Sequence, residues 1–198
     1  MRNIHIVGCG GIGSYLCAEI HRLIKTQQLK ETSVTVWEGD DIELKNLSYQ
    51  NFVDSEVYQN KAQTIGSRYN FNSIQARVEN FDEGPISAAT IIALCVDNVE
   101  TRKAFFSSNL FDSVQWLDLR SQGRAVAYYC SSKITTREFM LATLPEKQED
   151  GTGSCQYAAD IISNKIENGN KIIAAIGSQV LLNLVRKERL VSNYVHEF

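Results

Sequence analysis

The sequence predicts an α/β fold: a Rossmann-like, mostly parallel twisted sheet with helices on both faces, plus antiparallel strands near the C-terminal half. Three observations predict it. Short apolar or β-branched runs alternate with stretches of helical periodicity from Ile4 to Leu119. One of these runs, Ile91–Val96, is apolar throughout, as a parallel strand buried on both faces must be. The stretch Gly8-Cys9-Gly10-Gly11-Ile12-Gly13 falls between the first strand and the first helix, where a phosphate-binding turn belongs.

Taken in order, Ile4–Val7 is a short apolar strand that ends in glycines. Ile12, Leu16, Ile20, Leu23 and Ile24 recur at helical spacing. Val34–Trp37 is β-branched and aromatic, a second strand. Lys61–Tyr69 reads as helix and Ile74–Val78 as the third strand. After Ile91–Val96 come a helix over Glu100–Phe106 and a strand over Val114–Leu119. Beyond Gly123 the pattern changes: Ala125–Cys130 and Arg137–Leu144 read as two antiparallel strands joined by a short turn. Pro145–Asn170 is polar and loop-rich. Ile172–Val185 carries apolar residues on one face of a helix, for the core or for an interface.

Composition narrows the function. A chain of 198 residues supports one domain spanning 1–198 with a real core. With 43% hydrophobic and 22% charged residues it reads as a soluble globular protein. A net charge of −3 lacks the basic footprint of a nucleic-acid binder. No apolar run approaches the ~20 residues of a membrane span, and no signal-peptide pattern precedes the first strand, so the fold is expected to begin at the start of the chain. Five scattered cysteines without a C-x-x-C pair encode neither a zinc ribbon nor a redox motif. A reducing, cytoplasmic setting is expected.

The glycine stretch has a physical logic. Gly8 makes the tight turn, Gly10 lets backbone approach a phosphate, and Gly13 permits close helix–strand contact, while the helix N-terminus faces the anion. Glu38, ending the second strand, is placed for a ribose hydroxyl. The alternative is glycines that merely close a βα turn. By itself the motif leaves NAD, FAD and ATP open.

The following segments favour ATP. Asp40-Asp41-Ile42-Glu43-Leu44-Lys45-Asn46-Leu47-Ser48-Tyr49-Gln50, then Lys61-Ala62, then Cys95-Val96-Asp97-Asn98, resembles the ThiF/MoeB family, which includes the ubiquitin-activating enzymes. That family follows a GxGGxG turn with an acidic D-x-D strand end, N-L-x-R-Q, a lysine about a dozen residues on, and an aspartate after a later strand. The match runs from Ile4 to about Arg102, and Ile172–Ser178 is similar to the family's C-terminal helix. The resemblance implies Mg-ATP-dependent adenylation of the C-terminal carboxylate of a ubiquitin-like or sulfur-carrier protein, commonly by a homodimer or hetero-complex. It implies nucleotide contacts from Gly8, Gly10, Gly11 and Gly13, ribose contact from Glu38 with Asp40 as the second acid, and a phosphate contact from Asn46. Lys61 would neutralise phosphate charge at the attacked phosphorus, and Asp97 would hold Mg2+. Carboxylate attack on phosphate brings anion to anion, so such catalysis is mainly positioning and charge neutralisation.

Each of these residues also has a plainer reading: Lys61 a solvated charge in a helix's first turn, Asp97 a helix cap, Asn46 a turn residue, Arg102 a surface charge. The family pattern also breaks. Tyr49 stands where the family has arginine, the family's N-terminal arginine-bearing helix is absent from this sequence, and so are the zinc C-x-x-C pairs. A positioned charge at a transferring phosphate is worth roughly 10³-fold or more. Arg120 or Arg124 is expected to substitute, with Arg120 placed among the catalytic residues. Cys155 lies where some relatives carry a thioester or persulfide cysteine and equally matches one lost zinc ligand; a structural or incidental cysteine is the preferred reading. Two other readings stand beside the enzyme: a binding module that holds nucleotide or a ubiquitin-fold partner without chemistry, and a nicotinamide-dependent oxidoreductase.

Overall fold

The computed structural model describes residues 2–76, 90–122, 124–146, 163, 165 and 168–198. Its strands are β1 (Arg2–Val7), β2 (Thr32–Trp37), β3 (Asn72–Ile74), β4 (Thr90–Leu94), β5 (Gln115–Gln122), β6 (Ala125–Cys130) and β7 (Asn193–Glu197). Its α-helices are α1 (Gly11–Lys25), α2 (Lys61–Tyr69), α3 (Val99–Ser107), α4 (Leu110–Ser113), α5 (Arg137–Ala142) and α6 (Gly169–Arg186). Short 3-10 turns cover Leu44–Ser48 and Asp54–Glu56.

The strands form one sheet in the order β3-β2-β1-β4-β5-β6-β7. β1 to β5 pair in parallel, and β6 and β7 add antiparallel at one edge. The Rossmann-like expectation therefore holds, antiparallel strands included. Strand order reverses between β1 and β4, so the crevice beyond their carboxyl ends is the topological switch point where ligands bind in such sheets.

Alternation along the strands builds two cores. Ile4 and Ile6 of β1 face α1, α2 and α6, packing with Leu16, Ile65, Ile173 and Leu181. Val7 faces the other way, into a layer with Trp37, Phe105, Phe106, Trp116 and Met140. All five residues of β4 are buried, as its unbroken apolar run requires. The inward face of α6 is core: Ile173, Val180, Leu181 and Leu184 are at most 5% exposed.

Two expectations need correction. Arg137–Leu144 is not a strand; it forms α5, because Thr136 caps Phe139 N–H at 3.2 Å and Glu138 sits favourably in the first turn. β6 instead runs antiparallel to both β5 and β7, and β7 pairs His196 with Val126 and Tyr194 with Tyr128. All five β7 residues are exposed, so the segment carries no hydrophobic alternation to announce a strand. The third strand begins earlier than expected, at Asn72; positions 77 and 78 lie outside the described residues. The described cysteines, Cys9, Cys17, Cys95 and Cys130, are buried. No helix among the described residues is long and apolar enough to cross a membrane.

His5 lies buried in the second layer, where the Trp37 indole N–H donates to its Nδ1 at 3.1 Å. Burial lowers its pKa below the ordinary 6.5, because the imidazolium would be desolvated and could no longer accept that bond. A group held neutral in this way stabilises the fold fully above its unfolded value and progressively less as pH falls through the lower folded value. Glu38 and Asp97, raised by burial, slope the other way. The difference between variants isolates His5: His5→Gln keeps an acceptor for Trp37, and its melting temperature is expected to fall less than wild type between about pH 7 and about pH 5. Equal falls in the two proteins would contradict this.

Candidate functional site

Three adjacent strand ends build the site. Gly8 closes β1 with φ of +92°, and a Cβ there would lie 2.9 Å from the Cys95 carbonyl oxygen. Gly13 lies so close to the strand end that a Cβ would sit 1.9 Å from Gly8 O. These two glycines let α1 start directly on the strand end. Gly10 differs, since a Cβ there would meet only the Gln50 amide nitrogen, at 3.7 Å. Packing thus accounts for Gly8 and Gly13 and does not account for Gly10. No side chain caps the N-terminus of α1, so its first amides keep their capacity for an anion.

This contrast is testable. Gly13→Ala is expected to cost several kcal/mol, since the carbonyl it strikes is backbone that cannot yield. Gly10→Ala should cost less than about 1 kcal/mol, since the added Cβ meets only an ordinary contact with the Gln50 amide. Denaturant titration that ranks the two losses the other way round would contradict the assignment.

Glu38 is locked at the end of β2. Its Oε2 accepts from Cys9 N–H at 3.0 Å, and its Oε1 from the Gly39 and Asp40 amides at 2.9 and 3.2 Å. Desolvation raises its pKa, opposed mainly by the charge of Lys61. The carboxylate therefore ties the strand end to the glycine turn and has lone pairs left for a hydroxyl.

Lys61 is not a solvated charge. It is 6% exposed, the first residue of α2, with its Nζ 3.4 Å from Asp40 Oδ2. Its placement follows from Asn60, whose Oδ1 caps Gln63 N–H at 3.1 Å and whose Nδ2 donates to Gly39 O at 3.3 Å and Asp40 O at 3.2 Å. Lys61 N–H adds a bond to Asp40 O at 3.0 Å. The start of α2 is thereby pinned to the acidic loop.

Asp97 is not the cap of α3 either. Asn98 takes that part, its Oδ1 accepting from the Glu100 and Thr101 amides at 2.7 and 3.2 Å. The Asp97 carboxyl reaches solvent while crowded by protein, and desolvation raises its pKa against the fields of Arg102 and Lys61. Glu38, Asp40, Lys61 and Asp97 therefore act on one another at the strand ends beside the turn. Among the described residues no cluster of three or more metal-ligating side chains occurs. A single carboxylate suits Mg2+, which keeps water and substrate phosphate as its other ligands, so Asp97 is the residue that would hold it.

Solved structures share this architecture. E. coli MccB crystallised with ATP is 15% identical, with a TM-score of 0.63, over 100% of this chain and 63% of that one. The microcin C7 biosynthetic enzyme MccB in complex with N-formylated MccA is 15% identical with a TM-score of 0.64, again over 100% of this chain and 64% of that one. PaaA is 14% identical with a TM-score of 0.70, over 100% of this chain and 70% of that one. The fold resembles that of MccB and PaaA. At these identities the likeness is one of fold, and the chain spans under two thirds of the MccB length. No protein-family model matches the sequence, and no curated protein matches it.

The remaining expected site residues have hydrogen-bond partners within the fold. Asn46 Oδ1 accepts from Glu43 N–H at 2.9 Å, and its Nδ2 donates to the Tyr49 hydroxyl at 3.1 Å, so it holds its own 3-10 turn. Tyr49, where the family has arginine, is buried, with its carbonyl taken by Asn170 at 3.3 Å. Arg120 uses three of its five N–H donors on Asp118 (2.7 Å) and on Thr143 O and Oγ1 (3.0 Å each), and lies 4.6 Å over the Tyr129 ring. Arg124 donates twice to Phe198 O, at the β6–β7 edge. Cys155 lies outside the described residues.

Two residues escaped the sequence reading. Asp118 is fully buried and bridges Arg102 (2.8 Å) and Arg120 (2.7 Å), so Arg102 is no surface charge. Its sequence signal is a lone acid flanked by Leu117 and Leu119. Gln50 is 7% exposed, its Oε1 has no partner, and its amide overhangs Gly10. As the last residue of the N-L-x-R-Q stretch it could have been found from that motif.

Proposed function

We propose that this chain is an ATP-dependent adenylyltransferase acting on the C-terminal carboxylate of a ubiquitin-like or sulfur-carrier protein, as one adenylation domain over 1–198 in a reducing cytoplasm. One observation carries the reading: a buried lysine and an exposed aspartate, Lys61 and Asp97, share the strand ends beside an uncapped glycine turn. A nicotinamide enzyme has no use for that pair.

In this reading the triphosphate lies over Gly10 and Gly11 against the N-terminus of α1. Gly8 and Gly13 shape that turn, and Glu38 takes the ribose. Lys61 Nζ leaves its weak contact with Asp40 and places its charge on the phosphate. Its burial makes that charge effective, since water does not screen it. Asp97 would hold Mg2+, which would supply neutralisation of phosphate charge. The incoming carboxylate oxygen bonds to the α-phosphorus as the bond to the bridging oxygen breaks. Pyrophosphate leaves and the acyl adenylate remains. The groove past Asp97 and the end of β5 receives the tail.

A second reading is a binding module that holds nucleotide or a ubiquitin-fold partner without turnover. Tyr49 in the arginine position, and Arg120 committed to Asp118 and Thr143, favour it. ATP–pyrophosphate exchange with small Gly-Gly-tailed proteins separates the two readings. Exchange that depends on one of those tails and disappears in Asp97→Ala supports the enzyme; absence of exchange with every tail, alongside tight ATP binding, supports the module.

A further inference from the structure

The edge strand β7 is exposed along its whole length, and beyond it the sheet has no further strand among the described residues. Its ladder to β6 fixes which peptide groups are free. Phe198 N–H donates to Arg124 O at 3.2 Å, and Cys130 N–H donates to Ser192 O at 2.9 Å. In an antiparallel ladder the bonded residues alternate, so 192, 194, 196 and 198 turn toward β6. Asn193, Val195 and Glu197 therefore point their N–H and C=O groups outward.

Soluble proteins blunt such edges with lysine, proline or a bulge. Asn193-Tyr194-Val195-His196-Glu197 has neither lysine nor proline, and its pairing with β6 is continuous. It also exposes apolar surface: Val195 is 66% exposed, Phe198 47% and Tyr194 38%. Tyr128, Tyr194, His196 and Phe198 form an aromatic row on one face, with successive ring centroids 5.9, 5.9 and 4.7 Å apart.

We propose that β7 pairs antiparallel with β7 of a second copy of this chain, about a two-fold axis through Val195, which joins two sheets into one. A two-fold interface requires a strand that complements itself, and this one does. Centred on Val195, the register sets Val195 against Val195, Asn193 against Glu197 and Tyr194 against His196. All three outward residues of each strand are then used, for about six hydrogen bonds. The Asn193 carboxamide donors face the Glu197 carboxylate on one face, and the aromatic row continues across the axis on the other. Sliding the centre to Glu197 would oppose two carboxylates. The proposal is independent of the nucleotide site, and nucleotide exchange does not read it.

Sedimentation equilibrium of the full chain over a concentration series tests it. Wild type is expected to dimerise, and Val195→Lys, which opposes two ammonium groups at the axis, to sediment as monomer with an unchanged far-UV circular dichroism spectrum. Register is tested by charge. Asn193→Glu sets carboxylates opposite each other and should weaken the dimer about tenfold, a like-charge cost of the order seen for cross-strand pairs. Adding Glu197→Lys restores opposite charges and should restore the dimer. A monomeric wild type, a dimer that tolerates Val195→Lys, or a double variant no better than Asn193→Glu alone would each overturn the proposal.

Discussion

Asp118→Ala is expected to destabilise the protein by about 3–5 kcal/mol, the usual cost of removing one partner from a buried ion pair. The carboxylate has no solvent exposure and receives Arg102 Nε at 2.8 Å and Arg120 Nε at 2.7 Å. Without it the Arg102 side chain, only 8% exposed, keeps its charge in a site with little water. Arg120 loses the anchor that aligns it with Thr143, so the docking of α5 onto β5 weakens too. For a chain of this length the melting temperature should fall by roughly 6–20 °C. Asp118→Asn keeps an acceptor and should lose less. A loss below about 1 kcal/mol for the alanine variant, as for an exposed pair, would show that the two arginines rearrange into water.

Lys61→Ala is expected to slow tail-dependent ATP–pyrophosphate exchange about 10²–10³-fold, the range for losing one preorganised charge at a reaction centre. The fold should survive, because Lys61 Nζ has a single and rather long partner, Asp40, whose side chain is 77% exposed. Lys61→Arg should recover little, since the planar guanidinium does not fit the space of a compact ammonium in a buried position. Exchange measured with saturating ATP isolates the chemical step from binding. A Lys61→Ala enzyme within threefold of wild type would remove the lysine from the chemistry.

The sequence carried the sheet and the crevice at its switch point because both rest on local patterns. Apolar runs and helical spacing located β1, α1, β2, α2, β4 and α6, and the glycines fixed the switch point. What stayed hidden depends on contacts between distant residues. β7 is an edge strand without a buried face, so no period-two pattern marks it. Arg137–Leu144 reads as a strand from its sequence, and the Thr136 cap makes it a helix instead. Glu38 and Lys61 were visible as motif positions, but their burial arises from Asn60 and the Cys9 amide, which no spacing rule joins. Asp118 shows the limit most clearly: one acid in an apolar run gives no sign that it gathers two arginines from 16 residues upstream and 2 downstream.

The central claim, a triphosphate seated over Gly10, is tested most directly by titrating Mg-ATP and NAD into wild type and Gly10→Ala while following thermal stability. ATP at about 100 times its dissociation constant should add roughly 2.7 kcal/mol to wild type, and at the same ATP concentration most of that gain should vanish in Gly10→Ala, with NAD leaving both unchanged. Protection by NAD in place of ATP, or equal protection of both proteins by ATP, would contradict the account.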